Sequence, residues 1–251
     1  MFLAEREDGV SVALKVLRRK LSADEVYAKR FAQEARAAQA VTHRHLVPVL
    51  EAGEAEGYRY LAVAYVEGQT LETRLAVEGP LPVAGAVRLA AQVGGALDAL
   101  HAKGLVHRDV KPSNVMIDAR ESASLTDFGL AKGPAYTVLT RPGQVVGTLD
   151  YLAPEILSGG EALPASDLYA LGCVVFECVS GASPFADRGI FEIGLAHLSE
   201  EPPDPCASRA DCPPDLAWAI RQALAKDPVD RPPSATAFAN MLSVASRPRP
   251  N

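Results

Sequence analysis

The sequence predicts an α+β fold in which a small, strand-rich lobe precedes a larger, mainly helical lobe. Two observations support this. In the first part of the chain, apolar residues alternate in short segments, which is typical of half-buried strands. From Pro80 onward they recur at helical spacing, with proline and glycine near the expected helix ends. Strands that come first and helices that follow favour an α+β layout over alternating α/β units.

The first predicted strand covers residues 10–17 and carries a lysine among apolar neighbours. Val12 and Leu14 share one face of this strand, while Ala13 and Lys15 share the other. Because a charged group among apolar side chains is costly without a partner, Lys15 requires an anionic neighbour. The alternative is a surface lysine that extends its ammonium into solvent.

A helix is predicted next, from a capping box at Ser22–Glu25 to about Ala40. Glu34 falls on the same apolar stripe as Phe31 and Ala38. A glutamate in the middle of a helix is usually solvated, but one on the inward stripe is a candidate for a buried ion pair.

The remaining elements follow from the same periodicities and stop signals. We predict strands at 47–51, 60–66, 115–117 and 124–126, a helix from Pro82 to about Gly104, a buried central helix at 166–179, and further helices with proline-rich joints at 202–205, 213–214 and 232–233.

The composition excludes several classes of protein. The chain has 251 residues, of which 48% are hydrophobic, so it can bury a substantial core. A net charge of -6 argues against an overall nucleic-acid footprint. The first residues lack the apolar segment of a secretory signal, and the apolar run at 170–176 is too short to span a bilayer. We therefore expect a cytoplasmic chain without a membrane span.

The four cysteines form two pairs along the sequence. Cys173 and Cys178 lie in an apolar run and are expected to be buried thiols. Cys206 and Cys212 could form a disulfide or a weak metal pair, but no histidine or further cysteine is near enough in sequence to complete a zinc site. Free thiols in a reducing cytosol are the favoured interpretation.

A set of short motifs then carries a resemblance to a known family. The segment His107-Arg-Asp-Val-Lys-Pro-Ser-Asn114 is followed by Asp127-Phe-Gly129, and Leu152-Ala-Pro-Glu155 comes later. Upstream lie Val12-Ala-Leu-Lys15 and Glu34. Each motif alone could be a turn or a surface charge, but their order and spacing resemble the signature set of protein kinases, most of all the bacterial Hanks-type serine/threonine kinases.

The resemblance implies a bilobal protein-kinase fold, with a small antiparallel β-sheet lobe plus one helix and a larger, mainly helical lobe. The kinase domain is expected at 1–242, divided into a partial small lobe with the hinge lead at 1–66 and a large lobe at 67–242. Residues 243–251 are expected to form a tail or the start of a linker. The implied activity is ATP-dependent phosphorylation of serine and threonine hydroxyls in proteins, with autophosphorylation of the activation loop.

By the same resemblance, three residues are assigned to catalysis. Asp109 would accept the substrate hydroxyl proton, Lys111 would hold the γ-phosphate, and Lys15 would clamp the α- and β-phosphates while it pairs with Glu34. The alternative for Asp109 is a structural loop carboxylate paired with Arg108 or Lys111.

The expected cofactors are ATP and Mg²⁺, with Mn²⁺ as a possible substitute. Asn114 and Asp127 offer the oxygen donors that Mg²⁺ prefers, although Asn114 could also be an ordinary turn residue. The adenine pocket is less specific, since core packing would give the same apolar residues. Its expected members are the gatekeeper Val63, the Ala64 carbonyl, the Val66 amide, and Ala13 and Met116 on either side of the base.

Regulatory roles are also implied by the resemblance. Arg108 beside Asp109 suggests control through phosphorylation of the segment between the two later motifs, where Thr137 and Thr140 lie. We expect Thr140 to be modified first, because it aligns best with relatives. Thr148 is expected to be structural, with its hydroxyl turned toward the catalytic loop.

Three further residues are assigned structural roles. Glu155 and Arg231 are expected to form a buried pair that ties the end of the activation segment to the large lobe. Asp167 opens the buried central helix within the motif Asp167-x-x-Ala-Leu-Gly172.

The chain departs from the family pattern at its start, because no G-x-G-x-x-G occurs in it. Met1 falls where the family has the valine that closes this loop, so we expect the in-frame DNA upstream to encode the loop. Two classes of function therefore stay open: an active kinase, and a truncated kinase fold or pseudokinase that serves as a binding or scaffold module. Expected partners are protein substrates with serine or threonine acceptors and a second copy for trans-autophosphorylation, with no nucleic acid.

Overall fold

The computed structural model describes residues 1–6, 8–16, 25–127 and 149–247, with side chains from residue 31 onward in the first helix. A four-stranded antiparallel sheet and one helix form a small lobe, and the other helices surround a buried central helix. The predicted α+β class is confirmed.

The sheet of the small lobe is built from two hairpin-like pairs, in the order β1-β2-β4-β3. Glu56 and Gly57, with φ of 52° and 77°, form the two-residue turn between its last strands. The turn is shorter than the gap we predicted between 47–51 and 60–66, so β3 ends later and β4 begins earlier than expected. The strands are β1 (Phe2–Glu5), β2 (Ser11–Val16), β3 (Val49–Ala55) and β4 (Tyr58–Ala64).

The first helix, α1 (Glu25–Gln39), packs against β3. Its inward stripe is formed by Phe31, Ala35 and Ala38, all of which are buried. The small side chains of the two alanines allow the helix to lie close to the sheet. The capping box predicted at 22–25 lies largely outside the described residues.

The large lobe contains the remaining described helices and a small second sheet. The short helix α2 was not predicted, because its eight residues are too few for a clear helical period; it begins where the Thr70 hydroxyl accepts a bond from the Thr73 amide. The helices are α2 (Leu71–Glu78), α3 (Val83–His101), α4 (Pro154–Leu157), α5 (Pro164–Ser180), α6 (Ile190–Ser199), α7 (Pro214–Ala223) and α8 (Ala235–Ala245).

The central helix α5 is buried along nearly its whole length, and α3 packs against both α5 and α8. A Cβ at Gly94 of α3 would lie 2.9 Å from the Ala235 carbonyl oxygen, so glycine is required at this close approach. The Asp98 carboxylate of α3 accepts bonds from the Ala235 and Thr236 amides at 3.1 and 2.9 Å and thereby caps α8.

By length and composition, α3 is also apolar enough to cross a membrane. Its buried residues lie against α5 and α8, however, which is the position of a core helix. We therefore assign its apolar character to the core of the large lobe.

The second sheet, β5 (Gln69–Thr70), β6 (Val115–Ile117) and β7 (Ala123–Leu125), lies beside the segment between the lobes. The Val47 amide donates to the Leu125 carbonyl and the Leu125 amide to the His45 carbonyl, both at 2.9 Å. The connection from α1 to β3 is thereby fixed to the large lobe.

The cysteines correct one expectation. Cys173 and Cys178 are free and buried, as expected, but Cys206 and Cys212 are joined by a disulfide rather than free. Turns that join Cys206 to Arg209 and Arg209 to Cys212 reverse the chain and bring the two Cα atoms to 5.4 Å, a separation that a disulfide can bridge. Sequence spacing alone does not reveal such a reversal.

A buried histidine joins α6 to the central helix. The Nδ1 atom of His197 lies 2.8 Å from the Tyr169 hydroxyl, and its ring meets the edge of Phe185 with centroids 4.9 Å apart. Burial lowers the pKa of His197 to about 3, and the nearby Lys226 ammonium acts in the same direction. The folded protein therefore holds this ring neutral at physiological pH.

We predict that His197→Gln makes stability less sensitive to acid. Because the unfolded histidine takes up a proton below its ordinary pKa of 6.5 and the folded one does so only near 3, the wild-type chain loses stability as the pH falls through this window. The loss of unfolding free energy from about pH 7 to about pH 5.5 should be about 1 kcal/mol smaller in the variant, since glutamine takes no proton. Urea unfolding at both pH values measures this difference.

The comparison has an internal control, because the two proteins should show parallel changes in stability between about pH 8 and about pH 9, where His197 binds almost no proton in either state. Parallel curves throughout the acidic range would contradict a neutral, buried His197.

Candidate active site

The loop that carries the predicted catalytic residues is held by one buried carboxylate. Asp167, in the first turn of α5, accepts bonds from the backbone amides of His107 and Arg108 at 2.7 and 2.8 Å. His101 Nε2 of α3 lies 2.8 Å from the same carboxylate. Only 2% of the Asp167 side chain is exposed. The start of the loop is therefore fixed relative to the central helix.

Two of the predicted site residues adopt a backbone conformation that residues other than glycine rarely adopt. Arg108 and Asp127 have φ of 63° and 60°, in the left-handed region. The bond from the Arg108 amide to Asp167 holds the first of them in place. Such conformations concentrate at functional sites, where the surroundings determine the backbone.

His107 connects this loop to the strand that leads to Asp127. Its Nδ1 accepts a bond from the Asp109 amide at 3.3 Å, and its Nε2 lies 3.0 Å from the Thr126 carbonyl oxygen. This pair of partners requires a neutral ring that donates through Nε2. Burial lowers the pKa of His107, although the carboxylates of Asp167 and Asp109 oppose the shift.

Asp109 is oriented by two neighbours on its own loop. The Lys111 ammonium lies 3.2 Å from its Oδ2 atom, and the Asn114 amide donates to Oδ2 at 3.0 Å and to the Asp109 carbonyl at 2.7 Å. Because the Asn114 nitrogen serves Asp109, its Oδ1 oxygen is left as an acceptor. The carboxylate is thus fixed in direction, with a cation beside it.

Lys15 of β2 reaches Asp127, and their Nζ and Oδ1 atoms are 3.1 Å apart. The two side chains are 30% and 20% exposed, so the pair borders solvent rather than the core. The Asp127 carboxylate and the Asn114 amide oxygen are donors of the kind that Mg²⁺ binds. These residues fit a site in which a metal and phosphates would meet the lysine.

The expected ion pair between Lys15 and Glu34 is not present, and this corrects the prediction. The Glu34 Oε1 atom instead lies 3.0 Å from Nη1 of Arg108, while Lys15 is paired with Asp127. Glu34 is therefore bound by the residue expected to bind a phosphate, and Lys15 by the residue expected to bind a metal. Arg108, expected to await a phosphate, is therefore already engaged.

Four of the five residues expected around adenine lie on strands beside the lobe connection, and Val66 lies just after the end of β4. Ala13 of β2 is directly opposite Val63 of β4, and Val63 is only 3% exposed. Met116 of β6 pairs with Thr70 of β5. The Ala64 amide donates to the Pro48 carbonyl, and Val66 is partly buried against the core.

Three expected residues, Thr137, Thr140 and Thr148, lie outside the described residues, as do Phe128 and Gly129.

The structure brings Glu155 and Arg231 together in the large lobe. Arg231 bonds to both carboxylate oxygens of Glu155 at 2.8 Å, and it also donates to the carbonyl oxygens of Ala165, Ala225 and Lys226. Its own side chain is 0% exposed. Burial of the Glu155 carboxyl opposes ionisation, but bonds from Arg231 and Ser166 outweigh it and lower the pKa of Glu155.

Sequence reasoning missed two contacts near the site. His101 had no assigned role, because nothing in its spacing indicates the contact with Asp167. The Tyr151 hydroxyl donates to Glu177 Oε2 at 2.6 Å, and burial raises the pKa of Glu177. Glu177 is the one charged residue in the run from Leu168 to Val179, which was a signal that could have found it.

Among residues 1–6, 8–16, 25–127 and 149–247, no group of three or more His, Cys, Asp and Glu side chains is placed to hold a metal ion.

The family model described as "Protein kinase domain" matches residues 2–242 of the chain. The chain is 40% identical to serine/threonine-protein kinase pkn3 of Myxococcus xanthus, covering 95% of this chain and 46% of that protein. It is also 40% identical to PknE of Mycobacterium tuberculosis, covering 90% of this chain and 40% of that protein. The chain therefore spans less than half the length of these curated relatives.

The fold is also similar to a solved structure. The crystal structure of the PknI kinase domain of Mycobacterium tuberculosis aligns with a TM-score of 0.77 and 30% sequence identity, covering 97% of this chain and 89% of that one.

We predict that Arg231→Met lowers the free energy of unfolding by about 3–5 kcal/mol, because it leaves the Glu155 carboxylate and three carbonyl oxygens without their donor. Glu155→Gln is the matched comparison. It removes the charge but keeps an acceptor for the guanidinium, so it should cost about 1–2 kcal/mol. Urea unfolding near neutral pH measures both, and equal losses would contradict the importance of the carbonyl contacts.

Proposed function

The chain belongs to the protein kinase family, and we propose that it transfers the γ-phosphoryl group of ATP to serine and threonine hydroxyls of proteins. Bacterial serine/threonine kinases among its relatives support this class of acceptor. The observation that carries the proposal is the Asp109 carboxylate, held between Lys111 and Asn114 beside the Lys15–Asp127 pair.

In this proposal Asp109 accepts and orients the proton of the acceptor hydroxyl. Its Oδ2 atom is already fixed by Lys111 and Asn114, so little reorganisation is required when an acceptor binds. Lys111 would also place a positive charge where charge accumulates during transfer. The protein thus contributes position and electrostatic stabilisation rather than a covalent intermediate.

Asn114 and Asp127 would hold Mg²⁺, with Mn²⁺ as a substitute, and Lys15 would contact the phosphates. When bound, the metal neutralises charge on the phosphate oxygens. In the described arrangement Lys15 Nζ is 3.1 Å from Asp127 Oδ1, so this ammonium sits next to the expected metal ligand. Ala13, Val63, Ala64, Val66 and Met116 would surround the adenine.

We predict that Asp109→Asn lowers kcat/KM about 10²–10⁴-fold while ATP binding and the unfolding midpoint stay near their wild-type values, since only the proton acceptor is removed. Transfer from radiolabelled ATP to casein, with Mg²⁺ present, measures the effect. Asp230→Asn is the matched control, because Asp230 is exposed in a distant turn of the large lobe.

Unchanged turnover of Asp109→Asn in an active preparation would contradict the role of this carboxylate. Absence of transfer by the wild-type chain, with the fold intact, would favour the binding or scaffold function instead.

Regulation would act through the exchange of ion pairs at Arg108. The guanidinium holds Glu34, and a phosphate on the activation loop would compete for it. Release of Glu34 would make its carboxylate available to Lys15, which is the pair that phosphoryl transfer requires in this family. Thr140 is the proposed first site of autophosphorylation, with Thr137 as a second site and Thr148 in a structural role.

The proposed partners and cellular location follow from the proposed kinase activity. Protein substrates with serine or threonine acceptors are the proposed partners, and a second copy of the chain would serve trans-autophosphorylation. A cytoplasmic location is proposed, because ATP is the phosphoryl donor.

We predict that phosphorylation raises kcat/KM of the wild-type protein at least about tenfold and that Arg108→Gln abolishes this response, because the phosphate loses its charged partner. Thr140→Ala should behave like the unphosphorylated wild type. Phosphopeptide mapping together with assays before and after incubation with ATP provides the measurement. Modification confined to Thr148 would contradict this scheme.

A further inference from the structure

The segment between α6 and α7 carries a short covalent ring that the proposed kinase activity does not use. The Cys206–Cys212 disulfide closes it, with a sequence separation of six. Cys212 is buried at 9% exposure in the core of the large lobe, whereas Cys206 is partly exposed. Cys206 is therefore the more exposed residue of the pair, although it also packs against the core.

The ring presents Arg209 to the core. Its Nη1 atom donates to the Leu81 carbonyl at 2.6 Å and to the Val179 carbonyl at 3.2 Å. Asp211, on the same ring, binds the other side of the guanidinium at 3.0 and 2.7 Å. Val179 lies in the last turn of α5, where carbonyl groups lack helical partners, so Arg209 satisfies one of them.

Arg209 thereby ties three elements together. Leu81 lies in the connection from α2 to α3, and its amide donates to the Cys178 carbonyl of α5 at 2.7 Å. The helix α2 in turn contacts the 3₁₀ turn at Pro112–Asn114, which ends in a proposed metal ligand. Through Arg209 the ring therefore contacts the connection that follows the helix packed beside this turn.

We propose that Cys206 and Cys212 form a reversible thiol–disulfide site, which holds Arg209 on the Leu81 and Val179 carbonyls when oxidised and releases it when reduced. A dithiol would reduce the bond. Its thiolate attacks Cys206 Sγ, the sulfur–sulfur bond breaks, and Cys212 leaves as a thiolate that takes up a proton. The second thiol of the reductant then displaces Cys206, so two electrons pass to the protein and the reductant becomes a disulfide.

One general expectation, which rests on the proposed function, favours reversibility over a purely structural bond. If the chain acts in the cytoplasm, as proposed above, disulfides there are usually transient and redox-sensing. The other two cysteines cannot interfere, since Cys173 and Cys178 are fully buried and burial raises the pKa of both thiols. Exchange is thus expected to involve only Cys206 and Cys212, and to begin at the more exposed Cys206.

The test equilibrates the folded chain with glutathione buffers, from fully oxidised to about a hundredfold excess of reduced glutathione, as in the cytosol. Thiols that react with a maleimide without denaturant are counted, and the unfolding midpoint is recorded. We expect the count to change from no reactive thiols to at least one, that of Cys206, and the midpoint to fall by about 5 °C or more. Hydrogen exchange at the peptide containing Leu81 should accelerate at the same ratio.

Variants distinguish the contribution of the disulfide to the unfolding midpoint from that of Arg209. Arg209→Gln should lower the midpoint of the oxidised protein markedly and have a much smaller effect in a Cys206→Ser/Cys212→Ala background, where the ring is already open. The same double variant should show no response to glutathione. If Arg209→Gln proves hard to purify, the double variant still tests whether the change in midpoint with glutathione depends on these two cysteines.

Three results would overturn the proposal. A bond that stays oxidised at the cytosolic glutathione ratio would be structural only. Reduction without a change in midpoint or exchange would show that the bond does not control the contact. An equal effect of Arg209→Gln in the oxidised protein and the double variant would show that Arg209 holds its carbonyls without the ring.

Discussion

Asp167 carries a charge in the first turn of the most buried helix, and three donors surround it: the amides of His107 and Arg108, and the His101 ring. A carboxylate this deeply buried is very costly without such partners. The central helix and the loop with the proposed catalytic residues are therefore stable only in the one relative position that supplies these donors. The left-handed backbone of Arg108, which aims the residues after it, is a consequence of the same bonds.

The charges nearer the lobe boundary are held differently. Lys15, Glu34, Arg108 and Asp127 form two pairs whose side chains are 19–31% exposed. Ion pairs with this much access to water are worth little individually, so exchanging partners costs little. By contrast, Arg231 is fully buried and bonded on every side, and exchange there would leave uncompensated groups. The candidate site thus combines a loop in a fixed position with ion pairs that can change partners.

Much of this arrangement could be predicted from the sequence, where it depends on local pattern. The strand with Lys15, the inward stripe of α1 and the apolar central helix all follow from periodicity. The ends of β3 and β4 depended on a turn at Glu56 and Gly57 that the apolar pattern does not mark. The partner of Glu34 and the pairing of Cys206 depend on tertiary position, which sequence spacing does not contain.

Resemblance to a family predicts which residues meet, but not which of several available partners each one takes. Glu34 lies on the predicted face of its helix and is paired, yet with Arg108 rather than Lys15. The sequence motifs themselves are compatible with either pairing. The choice depends on a few weak, solvent-accessible interactions, and such a balance is what a modification that adds negative charge can shift. The residues of the candidate site can therefore be predicted from the sequence. Which ion pairs they form depends on the folded structure.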